Sequence, residues 1–123
     1  MTTRATYNFA NLNMGSTTFT LYDHYDGYPS GAADKLQRAI NYPNRRGNLT
    51  DAFLRANDTA ELTLSHDFHG DTEFAYNITK TQIPAFQYHV NAWKRLAVHN
   101  EDLWHEFFQG PLNEFLDVYA EQD

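Results

Sequence analysis

The chain has 123 residues, nineteen of them aromatic, no cysteine, and a formal net charge of −7. That length allows one domain (1–123) with one core, since single domains cluster at roughly 100–150 residues. The missing cysteines exclude disulfides, thiolate zinc sites, Fe–S clusters and cysteine nucleophiles, and the acidic total speaks against generic nucleic-acid binding and against an anionic membrane surface.

Residues 5–10 and 17–24 read as two strands. In the second, Phe19 and Leu21 alternate with Thr18, Thr20 and Tyr22, the period of a half-buried strand. The stretch Asp26-Gly27-Tyr28-Pro29-Ser30-Gly31 is dense in breakers and ends it. A helix is expected over about 31–42, with Leu36, Ala39 and Ile40 as its apolar stripe. Pro43 stops it. Asn48 is a suitable cap for a short second helix carrying Leu49, Phe53 and Ala56 inward.

Residues 60–68 alternate through Leu62, Leu64, His66 and Phe68. The turn His69-Gly70-Asp71 then leads to a strand at about 72–79, which reads as a hairpin. A further strand is expected at about 85–90, and 91–99 has no clear pattern. From Asn100 onward the spacing predicts helix. Leu103, Trp104, Phe107 and Phe108 form one stripe, and Leu112, Phe115, Leu116 and Tyr119 continue it past a break at Gly110-Pro111. The expected fold is therefore α+β. It has a mostly antiparallel sheet of about five strands, two helices after the first hairpin, and an acidic C-terminal helix.

The charge is unevenly placed. Residues 1–100 hold nine basic and nine acidic side chains, which balance. Residues 101–123 hold seven acids and no Lys or Arg. The body is thus neutral and the tail carries the whole −7. The Arg45/Arg46 loop leaves the body a small basic patch. An acidic face can imitate a row of phosphates and occupy a basic groove on another protein; the commoner alternative is a solvated face that confers solubility.

Two runs invite chemistry. The first is Tyr22-Asp23-His24-Tyr25-Asp26-Gly27-Tyr28-Pro29-Ser30-Gly31. It matches neither the Walker nor the dinucleotide glycine pattern, and a structural corner accounts for its Gly, Pro and Tyr residues. The second is His66-Asp67-Phe68-His69-Gly70-Asp71. With His24 and Asp26 it supplies imidazole and carboxylate for a divalent cation, although no established metal motif is present. Ser16, Ser30 and Ser65 are the only serines, and none stands in a nucleophile elbow. Nothing here amounts to a catalytic constellation, so an enzyme is the less favoured class and no cofactor is expected. The N-terminal residues lack a signal-peptide h-region, which gives the expectation of a cytoplasmic protein.

The run Tyr22–Gly31, together with His69-Gly70-Asp71-Thr72-Glu73-Phe74-Ala75-Tyr76, resembles a loose group of small phage and prophage proteins over about residues 5–90. That group transfers no catalytic residues. What the resemblance implies is context: small acidic phage proteins often inhibit bacterial defence, anti-CRISPR proteins among them. The resulting expectation is a non-enzymatic binding protein that meets the basic surface of a nucleic-acid-handling host defence complex, with no membrane and no direct nucleic-acid contact. Its partner-binding residues would be Glu101, Asp102, Glu106, Glu114, Asp117 and Glu121, with Tyr25 and Tyr28 as aromatic anchors. The alternative is a small metal-dependent hydrolase or nucleotide-binding protein using His24, Asp26, His66, His69 and Asp71.

Overall fold

Alternation builds the centre of the molecule. In β1 (Ala5–Phe9), Ala5, Tyr7 and Phe9 are buried on one side, while Thr6 and Asn8 point to the other. The computed structural model describes residues 3–10, 19–23, 25–42, 49–57, 59–63, 72–81, 87–98 and 101–120, without the side chains of 81, 97, 98 and 101–103. The remaining elements are β2 (Phe19–Asp23), α1 (Pro29–Ile40), α2 (Leu49–Ala56), β3 (Glu61–Thr63), β4 (Phe74–Thr81), β5 (Gln87–Val98), β6 (Glu101–Pro111) and α3 (Leu112–Tyr119). The strands form one sheet in the order β3-β2-β1-β4-β5-β6. β1 and β4 run parallel, and every other neighbouring pair is antiparallel. The α+β class and the mostly antiparallel sheet are as expected, with six strands rather than about five.

The helices lie on one face. α1 presents Ala32, Ala33, Leu36 and Ala39, α2 presents Leu49, Ala52 and Phe53, and α3 presents Leu112 and Phe115. Pro29 opens α1, where its missing N–H costs no intrahelical bond. A chain of rings ties the layers together. Tyr7 lies 4.8 Å from Phe53 and 5.3 Å from Tyr76, and Tyr76 lies 5.9 Å from Phe115. These are offset or edge-on contacts, which aromatic pairs prefer.

Two expectations about the elements need correction. Among the described residues, the strand before His69-Gly70-Asp71 does not pair with the strand after it. β3 lies at the edge beside β2, whereas β4 is inserted between β1 and β5. The turn itself lies outside the described residues. β4 buries Tyr76 and Ile78 on the helix face, so it takes a central place, while Leu62 of β3 is 62% exposed at the edge.

The second correction concerns 101–111, which is a strand and not the first half of a helix. The register slips at Ala92/Trp93, where Ala92 faces Phe108 but Trp93 faces Glu106, leaving Phe107 as the extra residue of a bulge. Phe107 and Phe108 therefore both reach the helix side. Their rings lie 6.0 and 6.1 Å from Tyr119. Two adjacent apolar residues on one face imitate the spacing of a helix, which is why the pattern misleads. Of the unclear segment 91–99, residues 91–98 form the second half of β5, paired with β6.

Candidate functional site

The corner after β2 is held from below. Asp23 ends the alternating run Phe19, Leu21, Asp23 and is carried into the helix-side layer, where its side chain is fully buried. Lys35 Nζ stands 3.1 Å from Asp23 Oδ2 and also donates to the Tyr25 carbonyl. Thr59 Oγ1 lies 3.0 and 2.9 Å from the two carboxylate oxygens, and the Tyr25 amide donates to Oδ1 at 3.0 Å. Burial pushes the Lys35 ammonium below its ordinary value of 10.5, against the opposing pull of Asp23. The ammonium also stands 5.9 Å from the centroid of the Tyr7 ring.

The turn itself is tied to the sheet. Gly27 donates to the Thr3 carbonyl at 2.9 Å, and Tyr76 donates its hydroxyl to the Gly27 carbonyl at 2.6 Å. Asp26 sits at φ 52°, in the left-handed region, and accepts from the Tyr28 hydroxyl at 3.3 Å. The Asp26 carboxylate beside it raises the Tyr28 phenol above its ordinary value. Tyr25 and Tyr28 are 50% and 43% exposed above this foundation.

The acidic residues lie elsewhere. Glu106 is exposed on β6, opposite Trp93, on the face away from the helices, and accepts from Asn91 Nδ2 at 3.1 Å. Glu114 and Asp117 are exposed on α3, three residues apart and hence on one helix face. Glu101 and Asp102 belong to β6 by their backbone, and Glu121 lies outside the described residues. So the described acids of 101–117 do not form one helical stripe. They are divided between an edge strand and a short helix, because the bulged strand replaces the first half of the expected helix. The corner with Tyr25 and Tyr28 is also separate. β2 and β6 stand four strand spacings apart, about 19 Å at the usual separation.

Of the metal-ligating set, His24, His66, His69 and Asp71 lie outside the described residues, and Asp26 is engaged by Tyr28. Among the described residues, no group of three or more His, Asp or Glu side chains is placed to hold a metal ion. A groove of about 540 Å³ runs between α1, α3 and the start of β5, with Ile40, Tyr88, Leu112 and Leu116 among its lining residues.

Lys35 escaped the sequence reading, although a signal was present. Ala32, Lys35, Leu36 and Ala39 fall on one helical stripe, so a lysine sits within an apolar face and needs a buried partner. Asp23, in phase with Phe19 and Leu21, is that partner.

No family model, curated protein or solved structure matches the chain. No helix among the described residues is long and apolar enough to cross a membrane.

Proposed function

We propose that the chain is a non-enzymatic binding protein that seats its carboxylates on the basic surface of a nucleic-acid-handling complex and competes with nucleic acid there. A host defence nuclease is the kind of target that the resemblance to small phage proteins suggests. One observation carries this reading. Glu106, Glu114 and Asp117 are exposed and make no ion pair among the described residues, in a stretch that holds no Lys or Arg. By contrast, Lys35, Arg38 and Arg55 of α1 and α2 are each paired with an aspartate. Unpaired surface carboxylates of one sign raise the encounter rate with a basic partner and add to specificity.

The experiment reverses these charges in one variant, Glu106→Lys/Glu114→Lys/Asp117→Lys. Binding to a purified CRISPR nuclease complex is measured, together with inhibition of its DNA cleavage. Binding and inhibition are expected to disappear in the variant. Full inhibition by the variant, or no inhibition by the native chain of any nucleic-acid-handling complex tested, overturns the reading.

A further inference from the structure

We infer that the face of the sheet turned away from the helices binds a neutral oligosaccharide, laid across β4, β5 and β6. This is a second site, apart from Glu114 and Asp117 on α3, and it goes beyond the protein partner proposed above.

One cross-strand row on this face is polar from edge to edge. The registers align Thr63, Thr20, Asn8, Asn77, Asn91 and Gln109, one from each strand. Asparagine is depleted in strands, where β-branched and aromatic residues fit better. An asparagine at the same row of β1, β4 and β5 therefore runs against strand propensity three times. A carboxamide carries two N–H donors and an acceptor on one flat group. Asn8 Nδ2 donates to Thr20 Oγ1 at 3.2 Å, and Asn91 Nδ2 donates to Glu106 Oε2 at 3.1 Å. These bonds hold the two side chains across the face. From Asn8 to Gln109 the row crosses three strand spacings, about 14 Å at the usual separation, which suits a short chain of rings rather than one.

Both tryptophans of the chain stand on the same face. Trp93 lies between Ala75 of β4 and Glu106 of β6, and Trp104 lies opposite Arg95, whose guanidinium is 4.9 Å from the ring centroid. The described helices pack on the other face. Over β1 and β2 this face is closed, since Thr6 and Tyr22 have no exposed surface. It opens toward β6, where Asn77, Asn91 and Trp93 are half-buried and Glu106 and Gln109 are exposed.

The composition selects the occupant. An indole has apolar ring faces and one N–H, so it packs against the C–H face of a sugar ring. Sugar hydroxyls, each both donor and acceptor, match the carboxamides. Nucleic acid suits the face less well. Arg4 and Arg95 are in phase with it, but so are the exposed Glu73 and Glu106, and phosphate binding draws on an excess of Lys and Arg. A protein partner would seek apolar anchors at the centre of the contact. The exposed ones lie elsewhere: Phe19, Leu62 and Leu96 are in phase with the helix side, and Tyr25, Tyr28 and Val118 belong to the corner and to α3.

The test titrates the full chain with cellotriose, chitotriose, maltotriose and mannotriose, and separately with oligouridylate, at low and high salt. Tryptophan emission reports on this face, and side-chain amide resonances report on each carboxamide. At least one trisaccharide is expected to change the emission and to shift the side-chain amides of Asn77, Asn91 and Gln109, equally at both salt levels. Asn91→Thr and Gln109→Thr, which suit a strand, are each expected to weaken its binding about tenfold, the loss of roughly one net hydrogen bond. Should Asn91→Thr fail to fold, Gln109→Thr on the exposed edge decides. Glu114→Lys/Asp117→Lys is expected to leave sugar binding unchanged, so this site and the basic-partner reading stand or fall separately. Binding of none of the four sugars overturns the proposal. So do shifts confined to other residues, such as those lining the groove between α1 and α3, and sugar binding that both threonine variants retain in full. Oligouridylate bound at these amides in preference to the sugars makes the occupant a nucleic acid. A doubled solution mass that buries them makes it a second copy. Either outcome also overturns the proposal.

Discussion

The Tyr76 hydroxyl donates to the Gly27 carbonyl at 2.6 Å, which bolts the corner after β2 to a central strand of the sheet. Its neighbour Tyr7, stacked 5.3 Å away, is also fully buried, yet its hydroxyl has no hydrogen-bond partner among the described residues. The same substitution therefore has opposite signs at the two sites. Tyr76→Phe leaves a buried carbonyl without its donor and is expected to cost about 1–3 kcal/mol. Tyr7→Phe removes a hydroxyl whose desolvation is uncompensated and keeps the ring contacts with Phe53, so it is expected to gain about 1 kcal/mol. Urea unfolding of the two variants checks both signs. A loss of stability in Tyr7→Phe would contradict the assignment.

The same tyrosines set the alkaline limit. Burial pushes both phenols well above their ordinary value of 10.0, with Asp23 and Asp26 adding to the rise at Tyr7, and Tyr7 and Tyr119 adding to it at Tyr76. The unfolded chain releases these protons first. The stability they support is complete below about pH 10 and is lost as the pH climbs toward the raised folded values. Lys35 runs the other way. Its folded value is lowered, so the cost of burying its charge is relieved as the pH rises toward the unfolded value of 10.5. Above that point only the tyrosines act. Urea midpoints between about pH 9 and 11 should therefore fall steeply at the upper end, and less so in Tyr7→Phe. A flat profile there would exclude ionising tyrosines as the cause.

How much of this was legible depended on whether a local pattern was regular. β1, β2 and the two early helices follow plain alternation or plain helical spacing, and they lie where the pattern puts them. β6 breaks its own period. The bulge at Phe107 places Phe107 and Phe108 on one face, and a pair of adjacent apolar residues reads as helix. The false hairpin has another cause. Gly70 between alternating runs announces a turn, but a turn does not say which strand the chain joins next. That choice is made by burial, and β4, with Tyr76 and Ile78 inward, belongs beside β1. At the corner, Gly27, Tyr28 and Pro29 announced a turn, but only the fold brings Tyr76 and Lys35 to it.

Gly31 makes a test of the corner that runs against helix propensity. In an exposed helix, Gly→Ala gains up to about 1 kcal/mol. Gly31 lies in the first turn of α1, where a Cβ would press into the carbonyl oxygen of Asp26 and lie 2.9 Å from the Asp26 Cβ. Asp26 has little room to yield, since it already holds a left-handed conformation at φ 52°. Gly31→Ala is expected to destabilise by about 1–3 kcal/mol, the usual cost of overpacking. Thermal unfolding reads the sign directly, and a rise in melting temperature would mean that the corner is looser than its contacts imply.

The buried pair beneath the corner gives the largest expected effect. Asp23 is fully buried, and three groups compensate its charge: the Lys35 ammonium at 3.1 Å, the Thr59 hydroxyl and the Tyr25 amide. The two hydrogen bonds can orient a carboxylate, but only Lys35 neutralises it. Lys35→Met fits the apolar stripe of α1 and keeps most of the side-chain volume, so its effect reports the loss of the charge together with the bond to the Tyr25 carbonyl. It leaves a carboxylate uncompensated in the interior and is expected to cost about 3–5 kcal/mol. Asp23→Asn in the same chain removes that stranded charge while its amide oxygen still accepts from Thr59 and Tyr25. The double variant is therefore expected to be more stable than Lys35→Met alone, and the cycle of single and double variants measures the coupling. If the double variant is no more stable than the single, the cost lies in lost packing around Lys35 or in the lost bond to the Tyr25 carbonyl rather than in the buried charge.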